Sequence, residues 1–343
     1  MILASTATTC RRENMRRMVM IIGLSILLIA GSMDSGLTQI TSKAESKEPK
    51  AEVRWPLNDG ILYFDLGVQS GYLKGDTTYH ITFDGGESEL EFPLKTYFLG
   101  PEIGWGYKNA QKQDKFLLKI IWLKNIGDGS GKMKDSDWFD DDGQPGLDVY
   151  SESDIKLRAN IFDVNLLYNF WPIKNISVGP VFGYKYQQFR YHVSNTNQVG
   201  YGIYAPDYTA SVRGRTLDYK VVYHIPYFGL SSNLLFGKKF QANMGVGYTP
   251  WATAKDRDDH ILRYKLSKGD TDGYTYFVNL NAIWNFLPHW FLILSGEYMK
   301  IHTTGTQHQS FYDGPYVGWT ADVDDKITSK QKFLSATVIC RFW

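Results

Sequence analysis

From Ile61 onward the chain runs through strand-like segments joined by two kinds of connection in strict alternation, and that pattern admits few folds. The first segment sets the period: Leu62, Phe64, Leu66 and Val68 fall on one face, Tyr63, Asp65, Gly67 and Gln69 on the other. Similar alternation predicts about ten strands, over roughly 60–75, 88–107, 115–127, 154–170, 175–195, 212–237, 239–255, 262–287, 290–304 and 326–343. Most are longer than the roughly five or six residues of an average globular strand. Tight turns lie at Trp171 to Asn175, Gly237 to Lys239 and Leu287 to His289, with Lys108 to Asp114 little longer. Between them come long polar links, Gly75 to Glu87, Asp128 to Ser153, Asn195 to Ser211, Asp256 to Ile261 and Gly305 to Asp325. Short turns on one rim and long links on the other predict an all-β fold, a ten-stranded antiparallel transmembrane β-barrel with long extracellular loops and short periplasmic turns.

Aromatic residues make up 15% of the chain, and they bunch near the tight turns as Phe170, Trp171, Trp284, Phe286, Trp290 and Phe291. That is where an interfacial girdle would sit. The final strand closes on Phe342-Trp343, similar to the C-terminal aromatic signal of bacterial outer-membrane proteins. Several strands outrun the roughly nine to eleven residues that a tilted span needs, so the barrel is expected to stand well above the membrane as an extracellular cup.

Residues 1–32 read as an export signal, with Arg11, Arg12, Arg16 and Arg17 ahead of the apolar run from Met18 to Ala30 and small residues at Ala30-Gly31-Ser32. A polar N-terminal segment (33–58) follows, and the barrel is assigned to 59–343. Without the signal, 33 Lys and Arg stand against 35 Asp and Glu, a formal charge of −2. A chain so balanced is no nucleic-acid binder. Cys10 leaves with the signal and Cys340 stands alone, which excludes a disulfide framework and a thiolate metal site.

Two stretches carry chemistry instead of scaffold. Lys255 to His260 reads as a loop tip where one alternating pattern ends and the next begins. Residues two apart in extended chain share a side, so Asp258 can reach, orient and stabilise the imidazole of His260, as a general base requires. Asp135 and Asp137, in the link between the third and fourth strands, share a face in the same way. Two such close carboxylates titrate as a unit, one of them raised, and can hold and polarise a water molecule. In a ring of ten strands the two pairs lie on opposite walls, across a slot wide enough for an extended peptide. The run Asp140-Asp141-Asp142-Gly143 imitates a calcium loop, but Trp138 stands where the first ligand belongs, and no metal is expected.

With these residues in place the chain resembles the omptin family of outer-membrane endoproteases of Gram-negative bacteria. The resemblance rests on Met133 to Trp138 and Asp256 to His260, with Ser70-Gly71, Tyr79, Ala159 to Asn165, Gly183-Tyr184, Arg190-Tyr191, Tyr219-Lys220 and Pro226 to Leu230. It implies an outer-membrane protein whose active site faces the cell exterior and whose catalytic residues Asp135, Asp137, Asp258 and His260 flank a water that attacks the scissile carbonyl directly. It also implies a peptide or protein substrate cut after a basic residue, with Asp256 as one substrate-binding acid and Asp76, in the first link, as the other. No cofactor is implied beyond lipopolysaccharide as an activating lipid, matched by Tyr186 and Arg190. Gln188 and Val222 depart from the family there, an acid and a basic residue being replaced, so a lipid phosphate loses one cationic partner. The chain is expected to act as a monomer.

Two other functions fit a surface barrel. An adhesin or receptor would keep the scaffold and bind through its loops without cutting, but such a protein has no need of all four catalytic matches. A lipid-modifying barrel enzyme would want a Ser/His pair near the membrane plane, and the sequence offers no convincing one.

Overall fold

The computed structural model describes residues 60–140, 146–205 and 207–343. The export signal, the polar segment 33–58, and Asp141, Asp142 and Gly143 of the acidic run lie outside the described residues. Twelve strand segments build one sheet: β1 (Ile61–Phe83), β2 (Gly86–Lys108), β3 (Asp114–Ile126), β4 (Gly129–Phe139), β5 (Val149–Tyr168), β6 (Phe170–Ile173), β7 (Ile176–Gly200), β8 (Ala210–Phe236), β9 (Phe240–His260), β10 (Lys265–Leu287), β11 (Trp290–Phe311) and β12 (Thr320–Phe342). They amount to ten staves. β3 and β4 lie end to end between β2 and β5, parted at Gly127, whose φ of 69° only glycine adopts freely. β6 continues β5 along β7. Every neighbour is antiparallel and β12 pairs back onto β1 from Phe64↔Phe342 to Thr82↔Asp324, so the sheet closes with no free edge.

Alternation dictates which way each side chain faces. On β9 the outward residues Phe240, Met244, Val246, Tyr248 and Trp251 are exposed apolar groups, and the same face then turns to Lys255 and Arg257. An apolar stretch of that length matches the roughly nine to eleven residues of a tilted lipid span. Where it ends, the ladder between β8 and β9 breaks between His224 and Phe228, at Pro226, which has no N–H to give. The break marks the point where the wall leaves the lipid.

The tight turns fall where the sequence puts them, but the long links shrink. Gly75 to Glu87 is strand except for the turn Asp84-Gly85, and Lys255 to His260 is the paired end of β9 and not a loop tip. Above the lipid the outer face meets water, so the strands there turn polar on both faces and lose the apolar period that betrays a strand. Their backbone ladders continue regardless. The functional residues therefore stand on rigid walls.

The interior is filled in two layers. Near the turns a cavity of about 830 Å³ is lined by polar and charged groups interleaved with apolar ones such as Leu117, Val181 and Phe333. Arg341 there grips Asp65 through two contacts of 2.7 and 2.8 Å, and Lys185 reaches Glu297 at 2.7 Å and Asp163 at 3.3 Å. Above it a plug of buried aromatics crosses the bore, with Phe92 stacked on Tyr219 at 4.4 Å and tilted against Tyr191 at 4.8 Å. That cavity lies on the turn side, and the acids of interest lie at the plug and toward the mouth.

Candidate active site

Met133 of β4 is buried in the core, so Asp135 and Asp137, two and four residues on, face inward too. Their carbon-α partners on β2 are Leu90 and Ser88. The Ser88 hydroxyl donates to Asp135 Oδ1 at 3.3 Å. From β9, Asp256 and Asp258 face inward and are buried, at 5% and 0% exposure, with His260 at the end of the strand. The His260 Nε2 stands 2.8 Å from Asp258 Oδ2. The third stave thus faces the seventh across the bore, as the topology requires.

The electrostatics show that the walls converge. Burial, then the Asp137 carboxylate beside it, and also Asp258 from the opposite wall push Asp135 up to about 7, while Arg263 and Ser88 pull it down. Burial lowers His260 below the usual imidazole value, against the pull of Asp258, and Lys265 and Arg263 lower it further. Near pH 7 the imidazole is therefore neutral, with its Nε2 beside the Asp258 carboxylate. The charges on Lys265 and Arg263 went unread in the sequence. Arg263 ends a short 3-10 turn (Ile261–Arg263), and Lys265 opens β10 on its inward face, two residues before Ser267, which pairs with Asp258. Burial lowers Lys265 while Asp258, Asp135 and Asp137 hold it up.

Asp76 does not join this group. Thr77 and Tyr79 of β1 are the buried, inward residues, so Asp76 faces outward, half-exposed, where Lys330, Lys332 and Glu91 act on its charge. Asp76 lies one position off the inward face, and in a strand a shift of one reverses the face. Tyr186 and Arg190 of β7 both face outward, alternating with buried Lys185, Gln187 and Phe189. Tyr186 donates to Gln188 Oε1 at 3.2 Å. Arg190 sits between Arg158 of β5 and Lys220 of β8, its partners in register. Lys265 faces the bore and not this outer wall.

A closed antiparallel barrel with an apolar outer band below a polar cup defines the class, an outer-membrane β-barrel. Residues 93–314 match the model of the Omptin family. The chain belongs to that family and is an outer-membrane peptidase of a Gram-negative bacterium acting on peptides or proteins. It is 24% identical over 221 residues to the plasminogen activator of Yersinia pestis, covering 62% of this chain and 68% of that protein. It is 25% identical over 197 residues to the outer membrane protease IcsP of Shigella flexneri, covering 51% of this chain and 60% of that one. The fold resembles the crystal structure of the outer membrane protease OmpT of Escherichia coli, with a TM-score of 0.70 at 16% identity, over 82% of this chain and 97% of OmpT.

Proposed function

We propose that the protein is an endopeptidase that cuts after a basic residue by direct attack of water, with Asp135 and Asp137 on one side and Asp258 and His260 on the other. The observation that carries this is the convergence of the two walls, felt as the mutual charge of Asp135 and Asp258, around a neutral histidine. An extended peptide lies in the slot between β4 and β9. A water held by the Asp135/Asp137 pair, which keeps one proton below about pH 7, faces the scissile carbonyl. As its oxygen bonds to the carbonyl carbon, its proton passes to Nδ1 of His260, and Asp258 stabilises the imidazolium that forms. That proton then moves to the amide nitrogen, the C–N bond breaks, and acid and amine leave. No side chain bonds to the substrate at any point.

Rapid-quench mass spectrometry during a single turnover tests this route. The enzyme mass is expected to stay unchanged throughout, with no initial burst of product; a transient adduct equal to the N-terminal peptide fragment would replace water attack with a protein nucleophile.

On the outer wall Tyr186 and Arg190, with Arg158 and Lys220 beside Arg190, form a cationic patch suited to a phosphate of lipopolysaccharide. Lys220 and Arg158 supply there the charge that Val222 does not.

A further inference from the structure

Two residues below Asp258 on the inward face of β9, Asp256 meets an acid that the resemblance does not supply. It is Asp325 of β12, 2% exposed and on the same inward face as Ile327 and Ser329. β10 and β11 separate the two strands, and the acids come together because Gly269 of β10 has no side chain between them. A methyl group added there would collide with Asp256 Oδ1 and Asp325 Oδ2. Among the described residues no side chain outside the pair makes a hydrogen bond to any of the four carboxylate oxygens, and only the backbone N–H groups of Gly269 and Lys326 act on them. No cationic side chain figures among the groups acting on either acid. The phenolic oxygens of Tyr79 and Tyr219, both fully buried, also lack partners, and each feels the charge of both acids. No group of three or more His, Cys, Asp or Glu among the described residues is arranged to hold a metal ion.

We infer that Asp325 is the second acid of the basic-residue pocket, set against Asp256 over Gly269 with the hydroxyls of Tyr79 and Tyr219 as its wall, and that it does the work the sequence assigned to Asp76. The inference rests on the peptidase reading above and names its specificity. Buried carboxylates without a counter-charge are costly unless a cation or a proton satisfies them. A guanidinium presents five N–H donors in a plane, enough to bridge both acids, while the tyrosine oxygens can accept what remains. Nothing on β1 can stand in for Asp325, because the inward positions there are Thr77, Tyr79 and Ile81, none of them acidic, with Ile81 the register partner of Asp325 and Thr77 hydrogen-bonded to Ser329 at 2.9 Å.

The empty pair satisfies itself by keeping a proton. Burial raises Asp325 to about 7, and burial with the charge of Asp325 raises Asp256 well above its usual range. A bound guanidinium favours the doubly ionised pair, so binding expels that proton. Raising the pH removes the proton beforehand and should tighten binding of arginine peptides, seen as a falling KM.

The test uses the full chain refolded in detergent with lipopolysaccharide, and two peptides that differ only in arginine or norleucine before the cut. Asp325→Asn, which keeps the volume and removes the charge, is expected to raise KM for the arginine peptide about 30-fold with kcat within about threefold. The fall of KM with rising pH should flatten, cleavage of the norleucine peptide should stay within about threefold, and Asp325→Glu should recover most of the loss. Asp76→Asn should match the parent. Parent-like KM in Asp325→Asn, or a KM of the parent that does not fall with pH, overturns the assignment of Asp325 alone. Absence of cleavage of either peptide by the parent overturns the peptidase reading and the pocket with it. A variant equally impaired on both peptides would make Asp325 a structural residue and also overturn the assignment.

Discussion

Replacing His260 with alanine is expected to lower kcat/KM for an Arg-Arg peptide by about 10³-fold, within the range that a single general base contributes. The loss should fall on kcat. His260 touches the reacting water in this account, whereas arginine binding is the work of acids farther down the bore. The fold should survive, because the residue ends β9 above the lipid, and the apolar band, the ion pairs near the turns and the closing ladder between β1 and β12 do not involve it. Unchanged heat-modifiable migration and β-sheet spectrum would separate lost chemistry from lost structure. Activity within tenfold of the parent would remove His260 as the base.

Charge reversal at Asp256 should be nearly as damaging, and for a different reason. In Asp256→Lys the new ammonium lies beside Asp325, in the space over Gly269, and pairs with it from within the chain. The pocket is then both filled and neutralised. Cleavage of arginine peptides is expected to fall by about 10²- to 10³-fold through KM, since two favourable contacts are lost and a like charge now faces the guanidinium. Barrel stability should change little, because the substitution turns a pair of repelling acids into an ion pair. Cleavage of arginine peptides at the parent rate, measured as kcat/KM, would remove Asp256 from substrate binding.

Much of this architecture is written in the chain's period. In the lipid, one face of every strand must be apolar, so residues such as Phe240, Met244, Val246 and Tyr248 announce β9 without ambiguity. The turns announce themselves through Pro172, Gly237 and Pro288. Above the lipid that constraint lapses. The strand ends carrying Asp135, Asp137, Asp258 and His260 looked like loops, yet the period of two still told correctly which residues share a face. It failed at Asp76 for the same physical reason that it succeeded elsewhere. In a strand a one-residue uncertainty reverses inside and outside, and Asp76 stands one position from the inward face. Asp325 was hidden by the early end given to β11 and the late start given to β12, which left it at the edge of a supposed link. Lys265 and Arg263 were unreadable because their place depends on a 3-10 turn and on Tyr264 in the left-handed region, with φ of 50°. No period marks such a turn.

The central claim is that the two walls of the cup act on one water as a unit, and a double-mutant cycle on peptide cleavage tests it most directly. The parent, Asp137→Asn, His260→Ala and the double variant would be compared for kcat on a fluorogenic Arg-Arg peptide, in detergent with lipopolysaccharide. Groups that serve one step are not additive, so the double variant should be no more than a few-fold slower than His260→Ala alone. Losses that multiply would mean that Asp137 and His260 contribute independently, and would contradict a single water held between them.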